Sequence, residues 1–103
     1  MKSYRVIVSL EAKHQMRDYI LYIRKQFRNE QAVRNLREDY KSTLDSLKTS
    51  AGSLPLSSRK KLADRGLRTI HFRNHRFTML YRIEDQTAEV VYIYHDLQDY
   101  DNH

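Results

Sequence analysis

Residues 67–100 read LRTIHFRNHRFTMLYRIEDQTAEVVYIYHDLQDY, and their pattern is the most informative evidence for the fold. β-Branched and aromatic residues dominate three short runs in it, and the polar pairs Asn74-His75 and Asp85-Gln86 separate the runs. Short apolar runs divided by turn-forming residues are typical of β-strands. The sequence therefore predicts an antiparallel meander of three strands. The predicted strands are residues 67–72, 76–84 and 88–95.

Ahead of the meander, the sequence predicts one strand and two amphipathic helices. Residues 4–10 are short and β-branched, and Ser9 is placed to cap the first helix. Apolar residues then recur at three- and four-residue steps, which is the pattern of one buried helix face. Asn29 is placed to cap the second helix and Gly52 to end it. The apolar faces are Ala12, Met16, Ile20, Ile23 and Phe27 in the first helix, and Val33, Leu36, Tyr40, Leu44, Leu47 and Ala51 in the second.

The order of these elements, β-α-α-β-β-β, predicts an α+β fold. The first strand must join the meander's sheet, because a lone strand cannot satisfy its backbone hydrogen bonds. We expect an antiparallel-dominated four-stranded sheet with the helical hairpin packed on one face. The other face is expected to present Arg, His and Tyr side chains as an open surface. Residues 1–103 are expected to form a single domain, with a flexible tail at 97–103.

Composition narrows the class of protein. The chain has 103 residues and a net charge of +6, with a sequence pI of about 9.7, so it attracts polyanions such as nucleic acid or an acidic protein. It has no cysteine, which excludes disulfides and thiolate metal sites. His71 and His75 have a zinc-like spacing, but without a second ligand pair we expect no metal and no cofactor. No secretory leader or membrane span is recognisable, so we expect a cytoplasmic protein.

A basic run beside the meander is a candidate nucleic-acid contact. It comprises Arg59, Lys60, Lys61 and Arg65, and Arg73 and His75 lie at the tip of the first predicted hairpin. Cations that neutralise phosphates release counterions, which drives binding to a nucleic-acid backbone. The alternative is a solvated loop. No aromatic residue is interleaved in the run, so stacking on bases is not expected there.

Four segments, taken in order, resemble the RelE/ParE superfamily of bacterial toxins. Residues 4–12 resemble its opening strand and the step into its first helix, and Leu67–Ile70 resembles the start of its second strand. Leu80–Ile83 resembles its Tyr-Arg-hydrophobic third strand. Ile93–His95 followed by Asp99 resembles its Ile-x-His-x-x-x-Asp ending. The match covers nearly the whole chain and is closer to the ParE-like members.

The resemblance implies a growth-inhibiting toxin of a type II toxin–antitoxin system. The expected partner is a cognate acidic antitoxin, in a toxin–antitoxin hetero-oligomer. ParE-like members act on DNA gyrase, whereas RelE-like members cut messenger RNA on the ribosome. A plain nucleic-acid-binding module is the third hypothesis.

If the chain is an enzyme, the resemblance makes it a metal-independent mRNA endoribonuclease. Such chemistry needs a group to activate the 2′-hydroxyl, a cation to stabilise the phosphorane and an acid for the leaving oxygen. The candidates are Arg68, Arg76, Arg82 and His95.

One position departs from the nuclease pattern. RelE-like nucleases carry an Arg three residues before the third-strand Tyr, and Thr78 stands there in this chain. Arg76, two residues earlier, is the possible substitute. His95 has two interpretations, as a general acid or base and as a structural residue at the strand end that hydrogen-bonds a neighbour such as Asp99. Thr78 makes us favour the structural interpretation and, with it, the action on gyrase.

Overall fold

The computed structural model of the protein describes residues 3–97. The predicted order is confirmed, with a short third helix in the basic run. The strands are β1 (Arg5–Val8), β2 (Arg68–His71), β3 (Phe77–Glu84) and β4 (Thr87–His95), and the helices are α1 (Leu10–Phe27), α2 (Glu30–Ser50) and α3 (Lys60–Asp64). The expected flexible tail lies outside the described residues except for Leu97. No described helix has the length and apolar character that a membrane span needs.

The four strands form one sheet in the order β1-β4-β3-β2. β1 runs parallel to β4, with Arg5 opposite Thr87, whereas the β2–β3 and β3–β4 pairs are antiparallel. The predicted α+β fold, an antiparallel-dominated sheet with a helical hairpin on one face, is therefore confirmed. The parallel pair arises because the whole hairpin separates β1 from the meander, so the chain crosses over the sheet before it returns.

Side-chain caps fix the ends of the hairpin's helices. The Ser9 hydroxyl accepts a hydrogen bond from the Ala12 amide at 3.0 Å, and the Asn29 side chain accepts one from the Ala32 amide at 3.1 Å. Between the helices, Arg28 takes a left-handed conformation with φ 48° and donates its amide to the Arg24 carbonyl. The two-residue link is short enough to fold α2 back along α1.

The main core lies between the hairpin and one face of the sheet. Its fully buried members include Leu36 and Leu47 of α2 and Met79 and Ile93 of the sheet. Phe27 was expected on the buried face of α1, but it is 67% exposed. It lies in the last turn of the helix, where it lines an open groove instead of the closed core.

The opposite face of the sheet is not the open surface that we expected. Leu62 of α3 and Leu67 cover Leu80 and Tyr94 there, and all four are nearly inaccessible to solvent. A β-bulge lies at the same place: Leu80 is opposite Tyr92 and Tyr81 is opposite Val90, which leaves Val91 as an extra residue in β4. β3 is therefore buried on both faces from Phe77 to Tyr81, and the open part of this face is reduced.

Gly52 has a different role from the helix stop that we predicted. α2 continues into a 3-10 turn at Ala51–Ser53, so Gly52 is not a left-handed residue after the helix. A β-carbon on Gly52 would lie 2.2 Å from Tyr4 Oη, which is far inside contact distance. Gly52 is thus required by the close approach of the buried Tyr4 ring.

We therefore expect Gly52→Ala to destabilise the protein. The new methyl group forces the Tyr4 ring out of its packed position, an overpacking cost of about 1–3 kcal/mol. Thermal unfolding followed by circular dichroism measures it. Ser53→Ala, in the same turn, is the matched control and should change the midpoint little. Equal midpoints for Gly52→Ala and the wild type would contradict this account of the glycine.

Candidate functional site

An aromatic groove of about 740 Å³ opens between α1 and the ends of β3 and β4. We call it the aromatic groove and define it by its lining: Asp18, Tyr19, Tyr22, Ile23, Phe27, His75, Arg76, Phe77 and His95. Tyr22 and Phe27 are 59% and 67% exposed, so the helix side presents two large rings to solvent. The sheet side presents the polar and basic groups. Such a mixture of apolar surface and a few polar groups is typical of binding sites.

His95 is held at the floor of this groove by ring packing and by the backbone. Its ring meets Phe77 edge-on at 5.2 Å between centroids, and Phe77 meets Tyr19 in the same way at 4.7 Å. The Leu97 amide donates to His95 Nδ1 at 3.3 Å. Nδ1 therefore acts as an acceptor here, which places the proton of the neutral ring on Nε2.

Two side chains of α1 accept hydrogen bonds from backbone amides on the free edge of β4. β1 ends opposite Val90, so the later amides of β4 have no strand partner on that side. Gln15 Oε1 accepts from the Ile93 amide at 2.7 Å, and Tyr19 Oη accepts from the His95 amide at 3.2 Å. These bonds fix α1 against the sheet and set the width of the aromatic groove.

A buried carboxylate on α2 holds the connection between β2 and β3. Asp39, with 1% of its side chain exposed, accepts from the amides of Arg73 and Asn74 at 3.1 and 2.9 Å. Its Oδ2 also lies 2.7 Å from His75 Nδ1. The connection is longer than the tight turn that we predicted at Asn74-His75: five residues, 72–76, join the strands, and two of their amides reach Asp39. The hydrogen bonds to Asp39 thereby position His75 and Arg76 on the wall of the aromatic groove.

Burial of Asp39 raises the pKa of its carboxyl, but the hydrogen bonds from His75, Asn74 and Arg73 outweigh burial and leave the pKa below the ordinary value of 3.8. A lowered folded-state pKa means that the ionised form stabilises the fold. This contribution is complete above the unfolded value and is lost as the pH falls through the folded value.

We expect the stability gap between wild type and Asp39→Asn to depend on pH accordingly. The gap should be constant above about pH 5 and should narrow as the pH falls below about 4. Urea unfolding at a series of pH values measures it. A gap that widens toward low pH would contradict the sign of the shift.

The structure brings together only part of the predicted catalytic set. Arg76 and His95 both line the aromatic groove. Arg68 instead donates to the carbonyl of Leu54, and Arg82 pairs with Glu89 at 2.9 Å near the other end of β3. Arg68 and Arg82 therefore have structural partners of their own and do not converge on Arg76 and His95.

The predicted nucleic-acid contacts divide into two places. Arg59, Lys60 and Lys61 line a shallow depression at α3, where Lys60 pairs with Asp64. Arg65 lies over the Tyr92 ring, 5.7 Å from its centroid. The other two, Arg73 and His75, lie on the connection that Asp39 holds.

Thr78 is buried in a polar chain on the face opposite the hairpin. It is 1% exposed, its Oγ1 lies 2.8 Å from His71 Nδ1, and it donates to Asp96 Oδ1 at 2.7 Å. Because the single hydroxyl proton goes to Asp96, His71 Nδ1 must supply the other hydrogen. The hydroxyl is fully engaged, so the position where a nuclease needs a cation is neutral and closed.

Tyr81, a landmark of the sequence resemblance, serves the core. It is completely buried and donates to the Ala51 carbonyl at 2.6 Å. Burial raises the pKa of Tyr81 to about 12, so its hydroxyl remains protonated and remains a donor at neutral pH.

The residues that sequence reasoning missed are Asp39, Gln15 and Tyr22. Asp39 carried one signal, since it lies three residues after Leu36 on the apolar stripe of α2, where a charge is costly without a partner. Gln15 and Tyr22 gave no such signal in the sequence, because both lie beside the apolar stripe of α1. Gln15 bonds to β4, and Tyr22 lines the aromatic groove.

A hairpin of helices packed on a four-stranded sheet, in the order β-α-α-β-β-β with a short third helix, is the fold expected of the RelE/ParE superfamily. The model of the family described as "ParE toxin of type II toxin-antitoxin system, parDE" matches residues 6–100. The chain therefore belongs to the ParE toxin family.

Among solved structures, one titled "Chromosomal ParDE TA system from P. aeruginosa" is similar in fold. It superposes with a TM-score of 0.72 at 14% identity and covers 88% of this chain and 94% of that one. At this identity the likeness concerns the fold. A comparison with curated proteins gives no match.

Proposed function

We propose that this protein is a cytoplasmic, growth-inhibiting toxin that acts by binding DNA gyrase. We further propose that a cognate acidic antitoxin neutralises it within a toxin–antitoxin hetero-oligomer. Family membership supports the toxin–antitoxin role, and the finer choice of gyrase depends on the chemistry of the sheet.

We favour gyrase because Thr78 is an uncharged, buried residue. Cleavage of a phosphodiester needs a cation at the phosphate to stabilise the developing charge. Thr78 is neutral, buried and bonded to His71 and Asp96. Of the other predicted cations, Arg68 and Arg82 are bonded to Leu54 and Glu89, and Arg76 lines the aromatic groove. A toxin that binds its target needs none of these groups free.

The aromatic groove is the surface that we assign to the antitoxin. Tyr22 and Phe27 offer apolar contact area, and aromatic rings dominate the energetics of protein interfaces. His75, Arg76 and His95 line the groove, against the single carboxylate of Asp18. An acidic segment with apolar anchors complements this combination, and the net charge of +6 speeds its association.

Expression of the chain in a bacterium tests the toxin role. We expect growth arrest when the chain is expressed alone and recovery when the product of the adjacent open reading frame is expressed with it. A reporter plasmid should lose negative supercoiling during the arrest, because gyrase is inhibited. Undisturbed growth at high expression would count against a toxin.

The alternative is a RelE-like mRNA endonuclease, and one observation favours it: Arg76 and His95 share the aromatic groove. The double variant Arg76→Ala/His95→Ala separates the two functions. Under our proposal, it still inhibits gyrase and the wild type leaves ribosome-bound mRNA intact. If the wild type cleaves that mRNA and the double variant does not, the enzyme is correct and the gyrase proposal is wrong.

A further inference from the structure

A second groove, of about 580 Å³, runs between α1 and α2 on another flank of α1. Four cations line it: Lys13, Arg17 and Arg24 from α1 and Arg37 from α2. No carboxylate among the described residues lines it. We call it the basic hairpin groove.

Three of the four cations have no counter-charge of their own. Arg24 pairs with Glu30 at 2.8 Å, but Lys13, Arg17 and Arg37 form no ion pair within residues 3–97. Lys13 and Arg17 are also one helical turn apart, a like-charge spacing that destabilises a helix. The fold thus holds uncompensated positive charge in one place, where an anionic ligand would relieve the repulsion.

The floor of the basic hairpin groove indicates what kind of anion fits. Met16 and Ile20 are only 3% and 9% exposed, because they already belong to the core. The apolar side chains that a ligand can reach there are Leu21, which is 47% exposed, and the half-buried Tyr40, beside the four guanidinium and ammonium groups. Four cations in a lining without a carboxylate favour a polyanion, and their guanidinium groups favour a phosphodiester backbone. Arginine, which supplies three of the four cations, binds phosphate oxygens in a bidentate manner.

We propose that the basic hairpin groove binds the phosphate backbone of duplex DNA. The groove follows α1 from Lys13 to Arg24, which at a rise of 1.5 Å per residue is about 16 Å. That length matches roughly five phosphates of one strand, at about 3.4 Å of axis each. Backbone binding of this kind is independent of base sequence. It goes beyond the proposed function, since a protein target can be bound without any DNA contact.

The basic run at α3, which comprises Arg59, Lys60, Lys61 and Arg65, is the competing site for DNA. It has as many cations, but Lys60 pairs with Asp64 and Arg65 contacts Tyr92. It is also supported by a helix of only five residues, whereas the basic hairpin groove lies on helices of 18 and 21 residues. Rigid support lowers the entropic cost of binding.

Two charge-matched double variants test the assignment. Arg17→Glu/Arg37→Glu and Lys60→Glu/Lys61→Glu each lower the net charge by four, from +6 to +2. Binding of the full-length protein to a fluorescein-labelled 20-base-pair duplex is followed by anisotropy at salt concentrations from 50 to 200 mM. Circular dichroism confirms that both variants are folded. With three to four phosphates neutralised, the wild-type affinity should fall about 40- to 150-fold over this range.

We expect Arg17→Glu/Arg37→Glu to weaken DNA binding at least about 10-fold more than Lys60→Glu/Lys61→Glu does. Equal losses would mean that net charge alone attracts DNA, and a larger loss at α3 would place the site there; either result overturns the inference. It is also overturned if polyglutamate of equal charge displaces the duplex at a lower concentration than unlabelled duplex does, since the groove would then prefer acidic protein. Growth arrest without DNA binding would overturn this inference alone and leave the proposed function intact.

Discussion

Replacing Asp39 with alanine is expected to lower the free energy of unfolding by about 2–4 kcal/mol. The carboxylate is 1% exposed and satisfies the amides of Arg73 and Asn74 as well as the ring of His75. Its removal takes the acceptor away from three partly buried donors and leaves a cavity beside α2. A loss of this size is a large share of the stability of a domain of this length.

Urea unfolding measures the loss, and Glu38→Ala is the matched control. Glu38 is the neighbouring carboxylate and is exposed, so its removal should change the free energy by less than about 0.5 kcal/mol. Equal free energies of unfolding for the two variants would contradict the stabilising role of Asp39. The β2–β3 connection would then be independent of α2.

The second large effect concerns the aromatic groove. We expect Tyr22→Ala/Phe27→Ala to weaken binding of the antitoxin at least about 100-fold, since each large aromatic anchor at an interface contributes about 2 kcal/mol or more. The fold should be unchanged, because both rings are mostly exposed and alanine is a good helix former. Titration calorimetry with the product of the adjacent open reading frame measures the affinity.

Leu10→Ala/Leu56→Ala is the control for this pair. Both leucines are exposed, at 71% and 47%, and neither lines the aromatic groove. Their removal subtracts a similar apolar area from another part of the surface. If the control weakens binding as much as the groove variant does, the antitoxin does not bind in the aromatic groove.

The elements of the fold were predictable because their signals are local. The caps Ser9 and Asn29, the three- and four-residue apolar steps and the turn residue Asp85 each depend on a few neighbours in sequence. The covered second face of the sheet was not predictable in this way. Leu62 and Leu67 stand in a run dominated by cations, and only the folded structure places them against Leu80 and Tyr94.

The candidate site depends on contacts between residues far apart in sequence. Asp39 and His75 are separated by 36 residues, and Tyr19 and His95 by 76. Sequence spacing identified Arg76 and His95 as candidates, but it could not show that Arg68 and Arg82 are bonded elsewhere. The neutral Thr78 was visible in the sequence, whereas its burial between His71 and Asp96 requires the packed sheet.

We propose that this toxin binds gyrase and does not cut RNA. The most direct measurement is a DNA gyrase supercoiling assay run beside an mRNA cleavage assay on programmed ribosomes, with the same protein preparation and concentrations. We predict that supercoiling is inhibited while the mRNA stays full length. Cleaved mRNA at concentrations that leave supercoiling unaffected would contradict the claim.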